Sequence, residues 1–113
     1  MEETWSVVLS PEVADWYRSL RPADRRLADK MIEKLRNLGN RLRMPHSRPL
    51  GNGIFELRFS IQRAAVAQRI TYTFQPPQRI IALTTFRKTR DNERHEVSRA
   101  RQAKSDLEKE SRT

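Results

Sequence analysis

The sequence predicts an α+β fold with two helices near the N-terminus, four β-strands and a helix at the C-terminus. Apolar residues recur with helical period between residues 11 and 38, and they alternate with polar residues between residues 54 and 74. After residue 90 only a thin apolar stripe remains among many charges. At 113 residues, the chain fits one domain, residues 1–113, with one hydrophobic core.

The first predicted elements are a strand and two helices. Apolar and polar residues alternate at the N-terminus, which predicts a strand at about residues 3–9. Ser10 and Pro11 are typical of a helix start, with a capping hydroxyl followed by proline at the first helical position. A second amphipathic helix begins at Pro22 and ends before Gly39. Because little chain separates the two helices, we expect a helical hairpin.

Three further strands are expected after a basic loop at residues 40–50. Alternation predicts strands at about residues 54–59 and 66–74, and a pair of prolines then marks a turn. The last strand, at about residues 79–86, is almost entirely apolar, as expected for a strand covered on both faces. From Asp91 onward the chain favours a helix with little apolar surface to bury, so we expect this helix to be mobile until a partner covers it.

Charge is concentrated in the middle of the chain. The protein carries a net charge of +9, and the stretch from residue 39 to residue 86 contains seven arginines and one acidic residue, Glu56. This excess favours nucleic acid or a ribonucleoprotein surface as the partner; a role in solubility alone is the alternative. The seven are Arg41, Arg43, Arg48, Arg58, Arg63, Arg69 and Arg79.

Two of these arginines, Arg58 and Arg69, lie in the interior of predicted strands. Because side chains alternate along a strand, Arg58 and Arg69 point away from the apolar face that the helices cover. We therefore expect both on an open face, lining a cleft. A guanidinium held on a sheet is a fixed fork for phosphate oxygens.

Composition excludes several classes of protein. The chain has no cysteine, so it has neither disulfides nor a thiolate metal site. It has no glycine-rich phosphate loop and no metal-ligand spacing, so we predict no metal and no cofactor. The N-terminus does not resemble a signal peptide, and no apolar run is long enough to cross a bilayer, so we expect no membrane association and a cytoplasmic location.

Further candidate residues follow the last strand. Lys88 reaches the face of Arg69 if the two strands are neighbours, and His95 lies in the following helix within plausible reach. Such a set would suit metal-free cleavage of RNA, in which the ribose 2′-OH attacks the adjacent phosphate and the enzyme aligns the chain and stabilises the developing charge. The alternative is that these residues have no catalytic role and are only the charged end of a strand and the solvated start of a helix.

The motifs PLGNGIFELRF (49–59), QRITYTF (68–74) and RIIALTTFRKT (79–89), followed by Glu96 and Ala100, occur in a recognisable order. This succession resembles the HigB branch of the RelE/ParE toxin superfamily, in particular its phage-derived Gp49-like group. The resemblance implies a RelE-like fold, with the two helices on one face of a twisted, mainly antiparallel sheet. It also implies the toxin of a type II toxin–antitoxin pair, a ribosome-dependent endoribonuclease acting on mRNA. Its partners would be the ribosome, mRNA and a helix-turn-helix antitoxin similar to HigA.

The resemblance also suggests roles for individual residues. Arg69 matches an arginine linked to contact with the scissile phosphate. Lys88 matches a basic residue at the end of the last strand with a similar supporting role, and Arg58 matches the arginine of a Glu-Leu-Arg motif. His95 has no firm counterpart, so the proton carrier stays open, with Lys88 favoured. The predicted catalytic set is thus Arg58, Arg69, Lys88 and His95, and the predicted RNA- and ribosome-binding set is Arg41, Arg43, Arg48, Arg87 and Arg90.

Two alternatives to this function stay open. The ParE branch shares the fold and inhibits DNA gyrase without catalysis. A degenerate toxin would retain antitoxin binding alone.

Overall fold

The computed structural model describes residues 4–111, so the predicted start of the first strand at residue 3 lies outside the described part. Within these residues, five strands and three helices follow one another: β1 (Ser6–Leu9), α1 (Pro11–Ser19), α2 (Pro22–Leu38), a single 3-10 turn (Gly39–Arg41), β2 (Ser47–Gly51), β3 (Ile54–Ile61), β4 (Val66–Gln75), β5 (Arg79–Arg87) and α3 (Glu93–Ser111).

The strands form one sheet in the order β1-β5-β4-β3-β2, with β1 parallel to β5 and the other neighbours antiparallel. The α+β class is confirmed, but the predicted number of four strands is wrong. The fifth strand, β2, lies inside the predicted basic loop, where Ser47 pairs with Leu57 and Pro49 with Phe55. Proline is tolerated there because β2 is at the sheet edge. The segment has no alternation of its own, and its extended conformation comes from pairing with β3.

Ser10 joins the first strand to the first helix. Its hydroxyl oxygen accepts the N–H of Val13 at 3.2 Å, which caps α1, and it donates to the carbonyl of Leu83 at 2.9 Å. Its own N–H donates to the carbonyl of Ala82 at 3.0 Å. The start of α1 thus covers the edge of β5 where β1 has ended.

The main core lies between the helical hairpin and one face of the sheet, as the apolar stripes predicted. Its buried residues come from α1, α2, the segment before β2, and the three central strands. They are Val13, Met31, Leu35, Leu42, Leu57, Ile70, Tyr72, Ile80 and Ala82.

The opposite face of the sheet is not fully open, which corrects the prediction. Helix α3 packs on it through Ala100, which is completely buried against Ile54, Ile81 and Leu83. The apolar stripe of α3 is narrow, yet it meets an apolar patch formed where β5 is apolar on both faces. The mobility of α3 stays a prediction. In residues 4–111 no helix is both long and apolar enough to cross a membrane.

Candidate functional site

A cluster of two arginines and one buried carboxylate lies on the α3-facing side of β3 and β4. Arg58 and Arg69 are direct cross-strand partners, so their side chains stand on the same face. Glu56 lies two residues before Arg58 and therefore shares that face. Its Oε1 is 3.4 Å from Nε of Arg69 and 3.7 Å from Nε of Arg58. The exposed side-chain fraction is 28% for Arg58, 11% for Arg69 and 2% for Glu56.

Several polar atoms of this cluster lack hydrogen-bond partners. Glu56 Oε2, Arg58 Nε and Arg69 Nε are buried, and none of these atoms has a hydrogen-bond partner within residues 4–111. Burial raises the pKa of Glu56 in spite of the nearby guanidinium groups, of which Arg69 has the largest effect. Burial likewise lowers the pKa of Arg69 in spite of Glu56. Charged groups that are partly desolvated and incompletely paired are typical of binding and catalytic sites.

A groove of about 440 Å³ opens beside the two arginines. It lies where β3 extends beyond its edge partner β2, and the segment before β2 closes one side. In that segment the carbonyl of His46 accepts the N–H of Arg58 at 2.8 Å, and both residues line the groove with Arg69. The sequence did not indicate His46 as a site residue, because its position depends on the unpredicted strand β2.

Lys88 extends the same basic face. Its N–H donates to the carbonyl of Ala67 at 2.7 Å, so the pairing of β4 with β5 continues one residue beyond β5. Phe86 is the cross-strand partner of Arg69, and alternation therefore places Lys88 on the face of Arg69. The Lys88 ammonium is held by the carbonyl of Thr89 at 2.8 Å. As predicted, the strand that carries Arg69 is the neighbour of the strand that ends just before Lys88.

A comparison with family models decides the classification. The model described as "Phage derived protein Gp49-like" matches residues 15–105, a range that contains Arg58, Arg69 and Lys88. The chain belongs to the phage-derived Gp49-like family. The resemblance found in the sequence is confirmed.

One solved structure supports the RelE-like fold of this Gp49-like protein. It is that of the E. coli toxin RelE, a double arginine-to-alanine mutant in the free state. The likeness covers 88% of this chain and 96% of that one, with a TM-score of 0.61 and 13% sequence identity. No curated protein matches the chain.

The structure does not bring every predicted catalytic residue of the Gp49-like protein together. His95 is exposed in the first turn of α3 and makes no hydrogen bond with Arg58, Arg69 or Lys88, all of which lie in the described range. The first turn of α3 instead contributes Glu93, whose Oε1 accepts from Arg48 at 2.8 Å and ties α3 to β2. Of the two histidines, His46 is the one that lines the groove.

The five arginines predicted to bind RNA or the ribosome are all exposed. Arg48 lies in β2 and is paired with Glu93. Arg41 donates to the carbonyl of Asn37 at 3.2 Å. Arg43 lies before β2, Arg87 at the end of β5, and Arg90 after β5. None of the five arginines lines the groove.

A metal centre has no support in the described part of the chain. Among residues 4–111, no group of three or more histidines, aspartates or glutamates is arranged to hold a metal ion.

Proposed function

We propose that this Gp49-like protein is the toxin of a type II toxin–antitoxin pair and that it cleaves mRNA on the ribosome without a metal ion. The observation that carries the proposal is the pair Arg58 and Arg69, side by side at a groove with unsatisfied N–H groups. Family membership and the likeness to the RelE toxin support the toxin role.

In the proposed reaction, the ribose 2′-OH attacks its own adjacent phosphate and the 5′-oxygen of the next nucleotide leaves. Arg69 is the main contact to the phosphate. Its Nη1 already donates to the carbonyl of Gln68 at 3.1 Å, which fixes the direction of the guanidinium. Arg58 and Lys88 stabilise the extra negative charge from either side. Fixed donors of this kind need no rearrangement as the charge develops.

The proton carrier is proposed to be Lys88 or His46. An imidazole can accept the 2′-OH proton or protonate the leaving oxygen. His46 lines the groove of Arg58 and Arg69, whereas His95 does not. Its place in the groove supports His46 over His95 as the histidine alternative.

The site has groups that could bind phosphate but few that could align the RNA chain. Dependence on the ribosome is consistent with such a site. Alignment of the attacking oxygen with the phosphorus is a large part of the barrier to this reaction. The ribosome can supply it by holding mRNA in an extended form. Contacts to its RNA would come from the exposed arginines, and their number predicts strong salt dependence.

The proposed partners follow from the same assignment. A toxin requires an antitoxin, and for this family we propose a helix-turn-helix protein similar to HigA. The mRNA and ribosome place the protein in the cytoplasm.

The test is to induce the protein, map mRNA 5′ ends across the transcriptome, and repeat the mapping with translation initiation blocked. We expect new ends inside translated frames that disappear when initiation is blocked. Intact mRNA together with an early change in DNA supercoiling would favour a gyrase inhibitor. Intact mRNA with normal growth and retained antitoxin binding would favour a degenerate toxin.

A further inference from the structure

A second cavity, of about 250 Å³, lies on the opposite face of the sheet, near the ends of β3 and β5. The end of α1 and the start of α2 form its other walls. Nothing in the proposed reaction uses it. The residues that carry the argument are Trp16, Arg21, Asp24, Gln68, Thr85 and Arg87, all of which line the cavity.

Gln68 presents a buried, unpartnered acceptor. The residue is 2% exposed, and its Nε2 donates to the hydroxyl of Thr85 at 2.8 Å. That hydroxyl has one hydrogen, which it donates to the carbonyl of Arg69 at 2.8 Å. It can therefore only accept from Gln68, which fixes the orientation of the amide. Gln68 Oε1 is then the atom without a hydrogen-bond partner in residues 4–111.

Asp24 adds a second acceptor. It is 5% exposed, and its Oδ1 accepts the N–H of Gln62 at 2.9 Å. Its Oδ2 lies 3.8 Å from Nη2 of Arg21, which is beyond hydrogen-bonding distance. The side chain of Arg21 is 75% exposed, and Arg87 is also exposed. The cavity is thus lined by two buried side chains that carry acceptors and by two exposed guanidinium groups.

This arrangement of charges disfavours simple ions. A phosphate inside would face the Asp24 carboxylate, and a metal ion or polyamine would have to pass Arg21 and Arg87. A nucleotide matches both regions, because its base carries N–H donors and its phosphate is an anion. The Watson–Crick edge of an unpaired base is the part that proteins usually read in single-stranded RNA.

We propose that this cavity is a nucleobase subsite of the RNA substrate. It takes a base with an exocyclic amino group through Gln68 Oε1 and Asp24, while Arg87 binds a flanking phosphate. The proposal rests on the proposed function. It also connects the two faces, because Arg87 and Lys88 are consecutive at the end of the sheet. An RNA strand crossing this end would contact Lys88 and Arg69 on one side and Arg87 on the other.

The first experiment measures the affinity of the purified protein for short 2′-O-methyl oligonucleotides, which cannot be cleaved by 2′-OH attack. The probes are homopolymers of A, C, G and U. Uracil has no exocyclic amino group, so we expect at least one of the other three to bind roughly tenfold tighter than oligo(U), the effect of about one good hydrogen bond. In Gln68→Met, which replaces the acceptor with an apolar side chain of similar size, we expect this preference to disappear. Gln75→Met, at the other end of β4, is the matched control and should keep it.

A second measurement uses the wild-type protein and so does not depend on the folding of a variant. The nuclear magnetic resonance signals of the Gln68 side-chain amide and the Trp16 indole N–H are followed during titration with AMP, CMP, GMP and UMP. We expect shifts with an amino-bearing nucleotide that are absent with UMP.

The proposal is overturned if oligo(U) binds as tightly as the other three, if Gln68→Met keeps the wild-type preference, or if the Gln68 and Trp16 signals stay still with every nucleotide. These measurements involve no cleavage, so their outcome is independent of the mRNA mapping. Cleavage without base preference would refute the subsite alone. Base preference without cleavage would refute the nuclease assignment alone.

Discussion

Two clusters of arginine and carboxylate differ in how many of their polar atoms have hydrogen-bond partners. In the first, Arg99 on α3 forms a two-point contact with Glu12 on α1, at 2.6 and 2.9 Å, and Glu12 also accepts the N–H of Thr85 at 2.8 Å. Burial alone would raise the pKa of Glu12, but the hydrogen bonds from Arg99 and Thr85 outweigh it and lower that pKa. Glu12 has the largest effect on Arg99 and raises its pKa.

In the second cluster, Glu56 and Arg69 approach to only 3.4 Å without a hydrogen bond, and burial disfavours the charged form of both. The comparison teaches that residue type does not decide the role of an ion pair. The satisfied pair fastens α3 to α1. The second cluster leaves buried polar atoms without hydrogen-bond partners beside the groove, at a cost in stability.

The largest expected difference between the clusters is in cleavage. In the proposed reaction Arg69→Ala removes a charged donor from the transition state, so it should reduce mRNA cleavage by about a hundredfold or more and abolish growth arrest. Arg99→Ala should keep cleavage at temperatures where the protein is folded. Both proteins are compared on programmed ribosomes, with circular dichroism to check folding. Full toxicity of a stably folded Arg69→Ala protein would contradict the role of Arg69.

The next effect concerns the residues that flank the arginine pair. If Lys88 carries a proton, both Lys88→Ala and Lys88→Arg should lose cleavage by about a hundredfold, because guanidinium stays protonated. If Lys88 only binds phosphate, Lys88→Arg should keep most of the activity. His46→Ala and His95→Ala are measured in the same assay. Loss in His46→Ala with full activity in both Lys88 variants would identify His46 as the proton carrier, and His95→Ala should be active throughout.

A smaller effect is expected on stability. Arg99→Ala breaks the contact between α3 and α1 and should lower the free energy of unfolding by about 1 kcal/mol, since the side chains of Arg99 and Glu12 are 35% and 39% exposed and solvent weakens the pair. Arg101→Ala, at an exposed position on α3, is the control and should change it by less than about 0.5 kcal/mol. Urea unfolding measures both. The amides of α3 should also exchange faster in Arg99→Ala, and unchanged exchange would show that this contact does not hold the helix.

The smallest effect is the pH dependence of stability, which has opposite signs in the two clusters. The lowered pKa of Glu12 means that its contribution is present above the unfolded value and is lost as pH falls through the folded value. The raised pKa of Glu56 means that its contribution is present below 4.5, its ordinary value, and is lost as pH rises. Glu12→Gln should therefore reduce the loss of stability in acid, and Glu56→Gln should reduce the loss toward neutral pH. Urea unfolding from acid to neutral pH measures the free energy of unfolding of the wild type and of each variant. If the difference between wild type and variant changes with pH in the same direction for both substitutions, the two clusters do not differ in this respect.

The sequence predicted what local periodicity controls. Helix boundaries at Pro11, Pro22 and Gly39 followed from capping and proline rules, and alternation placed Arg58 and Arg69 on the same face. It did not predict β2, because that strand is extended by its pairing with β3 and has no pattern of its own. The places of His46 and Glu93 in the site depend on that strand.

Glu56 was visible in the sequence only as a single acid among arginines. That it is 1% exposed depends on how the elements pack around it, which periodicity does not describe. The cover that α3 gives to Ile81 and Leu83 was missed for a similar reason, since a narrow apolar stripe is enough when its partner surface is also small.

The parallel pairing of β1 with β5 has a consequence for the order of folding. Ser6 pairs with Arg79, and the hydroxyl of Ser10 bonds a carbonyl 73 residues further along the chain. β1 therefore cannot pair in the sheet until β5 has been synthesised. Contacts between residues so far apart in sequence form slowly, because a long loop must close first. A nascent chain that already contains Arg58 and Arg69 can still lack β5, which neighbours β4, and Lys88, which follows β5. The basic face is complete only after residue 88 has left the ribosome.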